Sequence, residues 1–168
     1  MKILTEISED SLGLGEPEQL GADYRLRKSA RAILLNEQGE MATQYLEKYT
    51  FHKLPGGGVD PGETIELACK REILEEVGCD CEVLDPIGVV IEYRNKYNML
   101  HISYAFVAKV AGEIGEPELE AGEIEEGQVT KWIKPAEVLR LMEQDQPQKF
   151  EGHFILEREK AILKEFLA

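Results

Sequence analysis

The sequence predicts a mixed α/β sandwich, and three observations predict it. Apolar residues alternate with polar ones on both sides of one central segment, as strands require. That segment, Glu63 to Val77, holds no helix breaker and is rich in Glu, Leu, Ala, Lys and Arg. The chain then returns to helical periodicity at its end. Strands flanking a central helix, with more helix after them, pack as layers around one core. The length of 168 residues suits one such domain.

Residues 1–23 read as an N-terminal extension, a short strand followed by a loop marked by Gly13, Gly15, Pro17 and Gly21. The main domain is expected over 24–168. From Tyr24, Leu26, Ala30, Ala32 and Leu34 alternate with Arg25, Arg27, Ser29, Arg31 and Ile33, which predicts a strand. Asn36-Glu37-Gln38-Gly39 is turn chemistry, and Met41 to Tyr49 is expected as the return strand. The loop Leu54-Pro55-Gly56-Gly57-Gly58-Val59-Asp60-Pro61-Gly62 precedes the central helix, and Gly78 is placed as its stop. Cys81 to Tyr93 and Leu100 to Val110 are expected as strands around the polar turn 94–98. Residues 112–127 are expected as an acidic loop, and Val129 to Ile133 as a short strand around Trp132. Pro135 suits the first turn of a helix reaching Met142. A last amphipathic helix carries Ile155, Ile162, Leu163 and Phe166 on one stripe.

Charge narrows the function. The 33 acidic against 19 basic residues give a net charge of −14, which repels nucleic acid and anionic membranes. An acidic protein that takes a phosphorylated substrate needs metal ions or a local basic patch. No apolar run approaches the ~20 residues that span a bilayer. Met1-Lys2-Ile3-Leu4-Thr5-Glu6 lacks a signal-peptide core. Three cysteines, Cys69, Cys79 and Cys81, make no disulfide framework, so a reducing cytoplasm is expected.

The chemistry concentrates between Gly56 and Cys79. On a helix, Glu72, Glu75 and Glu76 stand at i, i+3 and i+4 and share one face. Their stripe continues toward the N-terminus as Cys69, Ala68 and Ile65, residues that pack on a sheet. Three carboxylates there repel one another unless a cation sits among them. A hard divalent ion, Mg²⁺ or Mn²⁺, suits an all-oxygen set. Gly56, Gly57 and Gly58 carry no Cβ, so a carbonyl can turn toward a metal and a phosphate can approach. A Glu63–Arg71 ion pair would tie this loop to the helix. The ordinary alternative for the three glutamates is a solvated acidic face.

The run Gly57-x5-Glu63-x7-Arg71-Glu72-Ile73-x-Glu75-Glu76-x-Gly78 resembles the Nudix box of Nudix hydrolases at every fixed position. The preceding Leu54-Pro55-Gly56-Gly57 is also similar to that family, and Cys79 stands where the box usually ends in a bulky aliphatic. Seven fixed residues at about one-tenth frequency each give ~10⁻⁵ chance matches in a chain of this length. The resemblance implies an α/β/α sandwich with a mixed sheet. It implies a divalent-metal-dependent enzyme that hydrolyses the pyrophosphate linkage of a nucleoside diphosphate derivative. Glu72, Glu75, Glu76 and the Gly56 carbonyl would be the metal ligands, with Glu63 and Arg71 in support. Metal ions would neutralise the pyrophosphate and help water attack it.

The base is expected in the acidic loop, among Glu120, Glu123, Glu125 and Glu126. Glu126-Gly127-Gln128 is similar to the catalytic-loop stretch of MutT-type members, which favours Glu126, with Glu123 next. Gly57 and Gly58 are expected to lie against the substrate. Arg25, Arg27 and Arg31 share one strand face that could meet phosphates, and Arg31 and Lys53 are the candidate phosphate contacts. His52 is expected as a strand-end residue with no special role and His101 and Trp132 as packed residues, whereas Tyr93 and Tyr97 could stack on a base. The expected partner is a small nucleotide, a nucleoside triphosphate or a nucleotide sugar, and neither nucleic acid nor a membrane. A homodimer is compatible with the apolar positions in 1–23 and the last helix. The rival is a non-catalytic Nudix-like module that senses a nucleotide, although such relatives usually lose box carboxylates.

Overall fold

The computed structural model describes residues 1–15 and 23–168, so the expected loop positions Pro17 and Gly21 lie outside the described residues. Seven strands are described: β1 (Ile3–Ser8), β2 (Arg25–Leu35), β3 (Met41–Leu46), β4 (Phe51–Lys53), β5 (Asp80–Arg94), β6 (Met99–Ala111) and β7 (Gln128–Ile133). Helices α1 (Ile65–Val77), α2 (Ala121–Glu126), α3 (Pro135–Gln144) and α4 (Phe150–Leu167) complete the chain. The sheet order is β1-β5-β6-β2-β3-β4, with β7 on β3.

The sheet is mixed. β1 runs parallel to β5 and β2 parallel to β6, while β5–β6, β3–β4 and β3–β7 are antiparallel. β2 and β3 share one register pair, Leu35 with Met41. The sheet therefore divides there into a larger half and a smaller β4-β3-β7 half. Two cores form on its faces. Ala30, Ala32 and Leu34 of β2 pack under α1 with Ala68, Cys69, Ile73 and Val77. Ile33 packs on the other face with Val138 and Met142 of α3 and Phe154, Ile162 and Leu163 of α4. Period-two alternation in β2 thus feeds both layers.

The structure adds detail that composition hid. The expected strand 41–49 ends at Leu46, and a tight turn with Thr50 at φ 57° starts β4. No Gly, Asn or Pro marks that turn, so sequence gave no signal. Glu63 lies outside α1, whose N-cap is Thr64, accepting from the Leu67 N–H at 3.2 Å. Gly78 at φ 77° ends α1 as expected. The expected loop 112–127 contains α2, opened by a capping box in which Glu123 accepts from the Glu120 N–H at 2.9 Å. In α4 the buried face holds Arg158 and Glu159 beside Phe154, Ile162 and Leu163, while Ile155 is half-buried.

Candidate active site

A cleft of ≈ 590 Å³ lies where the sheet halves part. One wall is the α1 carboxylate face, Glu72, Glu75 and Glu76. Cationic side chains line the same cleft, Arg25, Arg27, Lys28 and Arg31 from β2 and Lys53 from β4. The loop Gly56–Asp60 forms the floor, and Glu120 and Glu123 close one side. A chain of net charge −14 therefore holds a local basic surface where phosphate would need it.

The glycine loop is laid along β2. The Ala32 N–H donates to the Pro55 carbonyl at 3.1 Å and the Ala30 N–H to the Gly57 carbonyl at 3.0 Å. The Gly56 carbonyl between them stays out of this pairing. Gly56 has φ 130°, and a Cβ there would sit 2.2 Å from the Ala30 carbonyl oxygen, so only glycine fits. A Cβ on Gly57 would sit 2.3 Å from Glu72 Oε1. The carboxylate face thus abuts the loop.

Arg71 joins these parts. Its Nε and Nη2 donate to Glu63 at 3.1 and 3.2 Å, and its Nη1 to Glu72 Oε1 and Glu75 Oε2 at 2.9 and 3.0 Å. Nη2 also donates to the Gly58 carbonyl at 2.8 Å. The expected Glu63–Arg71 pair is present, and it holds Glu63 below the usual carboxylate range. The cations expected among the three acids include the chain's own Arg71, on Glu72 and Glu75, and Lys53, on Glu76.

Glu76 is 1% exposed yet ionised. Burial opposes its charge, but the Lys53 ammonium at 2.9 Å and the Gly56 N–H at 2.6 Å outweigh burial and hold its pKa low. Gln128 Nε2 donates to the same carboxylate at 3.1 Å, and Thr130 and Gln44 bind the Glu76 carbonyl at 3.1 and 3.3 Å. Sequence reasoning passed over Gln44 and Thr130, and it named Gln128 only as part of the Glu126-Gly127-Gln128 stretch. Their only signal was polar residues at strand positions. Glu72 is pushed up by burial and by Glu76.

The acidic side divides sharply. Glu123 lines the cleft and faces Glu76; burial first, and the Glu76 charge, push it up to about 7. Glu126 points elsewhere and pairs with Lys149 at 2.6 Å. Glu125 pairs with Lys48 at 2.6 Å in the open. Tyr93 bonds Glu6 at 3.3 Å and Tyr97 bonds Glu151, and neither lines the cleft. Trp132 is half-buried against the α1 core. His52 is held by Asp145 at 2.9 Å, and His101 lies within a buried polar cluster beside Ser29 at 3.0 Å.

The donor set, three carboxylates and a free carbonyl, is all oxygen and so suits a hard divalent ion rather than a thiophilic one. Among the described residues, no group of three or more His, Cys, Asp or Glu encloses an ion in this conformation. The carboxylates are turned onto Arg71 and Lys53, so an ion would have to draw Glu72 and Glu75 away from Arg71. Both keep a second oxygen outside the Arg71 contacts.

A mixed sheet between helical layers, with a glycine loop and a glutamate-rich helix at the split, defines a Nudix-type sandwich. The NUDIX domain model matches residues 25–153, and the chain belongs to that family. Family members act on pyrophosphate bonds of nucleotide derivatives, and this chain is a hydrolase of that class. It is similar to the RNA pyrophosphohydrolase of Erythrobacter litoralis (strain HTCC2594), 28% identical over 161 residues, covering 86% of this chain and 92% of that one. It is similar to the putative 8-oxo-dGTP diphosphatase of Bacillus subtilis (strain 168), 42% identical over 62 residues, 37% of this chain and 42% of that one. The fold is shared with the NUDIX hydrolase from Nitrosomonas europaea, at TM-score 0.62 and 18% identity over 85% of this chain and 89% of that one. The MutT protein from Methanosarcina mazei Go1 gives TM-score 0.56 at 20% identity over 82% and 95%. No described helix is long and apolar enough to cross a membrane.

Proposed function

We propose that the chain hydrolyses the pyrophosphate linkage of a nucleoside triphosphate or a nucleotide sugar with the help of a divalent ion. The observation that carries this reading is one cleft lined by both the α1 carboxylates and the β2 cations. Glu72, Glu75, Glu76 and the Gly56 carbonyl would hold Mg²⁺, with Mn²⁺ as a substitute. Bound there, the ion would neutralise the diphosphate and make water a better nucleophile near neutral pH.

The chain's own residues do the rest. Arg27, Arg31 and Lys53 hold the phosphates in place for attack. Gly57 and Gly58 let the diphosphate approach the backbone. Glu63 and Arg71 fix the distance between loop and helix through contacts already made. Glu123 takes the proton from the attacking water as the new P–O bond forms and the bond to the bridging oxygen breaks. Glu123 is preferred to Glu126 because it faces the carboxylates and titrates near neutrality.

A panel of nucleoside triphosphates, nucleotide sugars and 5′-triphosphorylated RNA, with Mg²⁺ or Mn²⁺, tests this by phosphorus NMR of the products. Turnover of a small nucleotide is expected. Preference for the RNA would replace the proposed substrate class. Tight calorimetric binding without turnover of any member would instead support a sensing module.

A further inference from the structure

The buried face of α4 carries Arg158 and Glu159, 1% and 0% exposed. A helix that packs on a sheet normally places apolar residues there, so adjacent ions need a reason. Arg158 Nη2 donates to Glu159 Oε1 at 2.6 Å, and Nη1 reaches Glu92 Oε1 at 3.5 Å. Arg94 donates to both Glu92 oxygens at 3.2 and 3.1 Å. Glu159 Oε1 lies 3.7 Å from Arg31 Nε. A row of buried ions thus runs from β5 through α4 to β2.

The row holds three guanidiniums, Arg31, Arg94 and Arg158, against two carboxylates, Glu92 and Glu159. The surplus positive charge emerges at Arg31, the member that lines the cleft. Arg31 commits Nη1 to the Ala30 carbonyl at 3.2 Å. Its Nε has no hydrogen-bond partner, and neither has Glu159 Oε2. A guanidinium held this way keeps donors for an incoming anion. Burial, and then Arg158, lower Arg31 to about 10 against the charges of Glu159, Glu76 and Glu72, so it stays charged at neutral pH.

We infer that Glu159 is a positioning residue: from α4 it holds the Arg31 guanidinium in the cleft wall, oriented toward a phosphate of the substrate. Arg158, clamped by Glu92, fixes Glu159 in turn. The inference rests on the proposal that this cleft takes a pyrophosphate. It brings the last helix into substrate binding although Glu159 does not line the cleft.

The test uses imidodiphosphate, a non-hydrolysable pyrophosphate analogue, with Mg²⁺. Its affinity, the steady-state kinetics and the melting temperature are measured for the wild-type chain, Glu159→Gln, Arg31→Lys and the double variant. Glu159→Gln keeps the shape and loses the charge that holds Arg31. About tenfold weaker binding and about tenfold higher KM are expected, with kcat within about twofold. Arg31→Lys loses the planar fork and should weaken binding about tenfold or more, and adding Glu159→Gln should change little further. A Glu159→Gln chain that melts lower but binds the analogue normally overturns the inference, as do additive losses in the double variant. Should Glu159→Gln fail to fold, unchanged affinity in Arg31→Lys overturns it alone. A wild-type chain that binds the analogue but hydrolyses no nucleotide removes the proposed reaction, and the binding cycle still decides the role of Glu159.

Discussion

On the cleft side, Glu72, Arg71 and Glu75 keep side-chain exposures of 12%, 29% and 36%, while on the α4 side Glu92, Glu159 and Arg158 keep 0%, 0% and 1%. Both clusters are built from glutamate and arginine. At the cleft, water reaches the ions, so a carboxylate can exchange one cation for another at modest cost. Under α4 no water reaches them, and removing one partner strands the other in a medium that cannot solvate it. Under the proposed function, the same side chains would serve as replaceable ligands in one place and as fixed framework in the other. Arg31, at 9% side-chain exposure, stands where the two meet.

Removing the charge of Glu76, the buried end of the cleft cluster at 1% exposure, should cost activity above all. Glu76→Gln should lower kcat by about a hundredfold to ten-thousandfold, the range for loss of a group acting at the reacting centre. The circular dichroism spectrum should remain native, because glutamine can still accept from the Gly56 N–H. Near-normal turnover would remove Glu76 from the site.

Breaking the sealed cluster should do the reverse. Arg158→Leu leaves Glu92 and Glu159 without their shared cation and should cost about 3–5 kcal/mol. In a chain of this size that is roughly a 10 °C fall in melting temperature. A stable Arg158→Leu chain would show that the cluster is not the framework described.

Acid should find the sealed cluster too. Burial holds His101 down to about 4, against its usual 6.5, despite the Glu92 carboxylate 2.6 Å away. The unfolded chain takes up this proton first as pH falls. His101 therefore contributes stability above pH 6.5 that is lost progressively down to about pH 4, by up to about 3 kcal/mol. Glu92, held low against burial mainly by Arg158, acts in the same direction at lower pH. Urea titrations from pH 7 to pH 4.5 should show the decline, and His101→Gln should flatten it.

The smallest effect sharpens the comparison at the cleft floor. Gly57→Ala would place a methyl 2.3 Å from Glu72 Oε1, and an open cluster can move that carboxylate aside. A melting temperature within about 2 °C of wild type and a rate lower by about tenfold are expected, the cost of a displaced ligand without a buried clash.

The open cluster was legible in the sequence because helix periodicity and the Gly56–Gly58 run are local. The Glu63–Arg71 tie and the shared face of Glu72, Glu75 and Glu76 needed only spacing along one element. Likewise, the alternation in β2 placed Arg25, Arg27 and Arg31 on one side. The sealed cluster was not legible. His101 was expected as a packed residue, but Glu92 and Arg158 are far apart in sequence and look like solvated residues until α4 lies on the sheet. Glu123 was weighed below Glu126 because Glu126-Gly127-Gln128 resembles the catalytic-loop stretch of MutT-type members, and residues 112–127 read as a loop. Only the capping box in α2 fixes which glutamate turns inward.

The family boundary at residue 25 leaves out β1, yet β1 runs beside Val89, Val90 and Ile91 in the middle of β5. A protein trimmed to that boundary would present these residues on a bare strand edge, whose unpaired amides and carbonyls invite another chain to add on. In place of that edge the full chain shows six residues that include Thr5, Glu6 and Ser8. The strand outside the family boundary is thus part of the sheet, and attempts to shorten the protein should begin somewhere else.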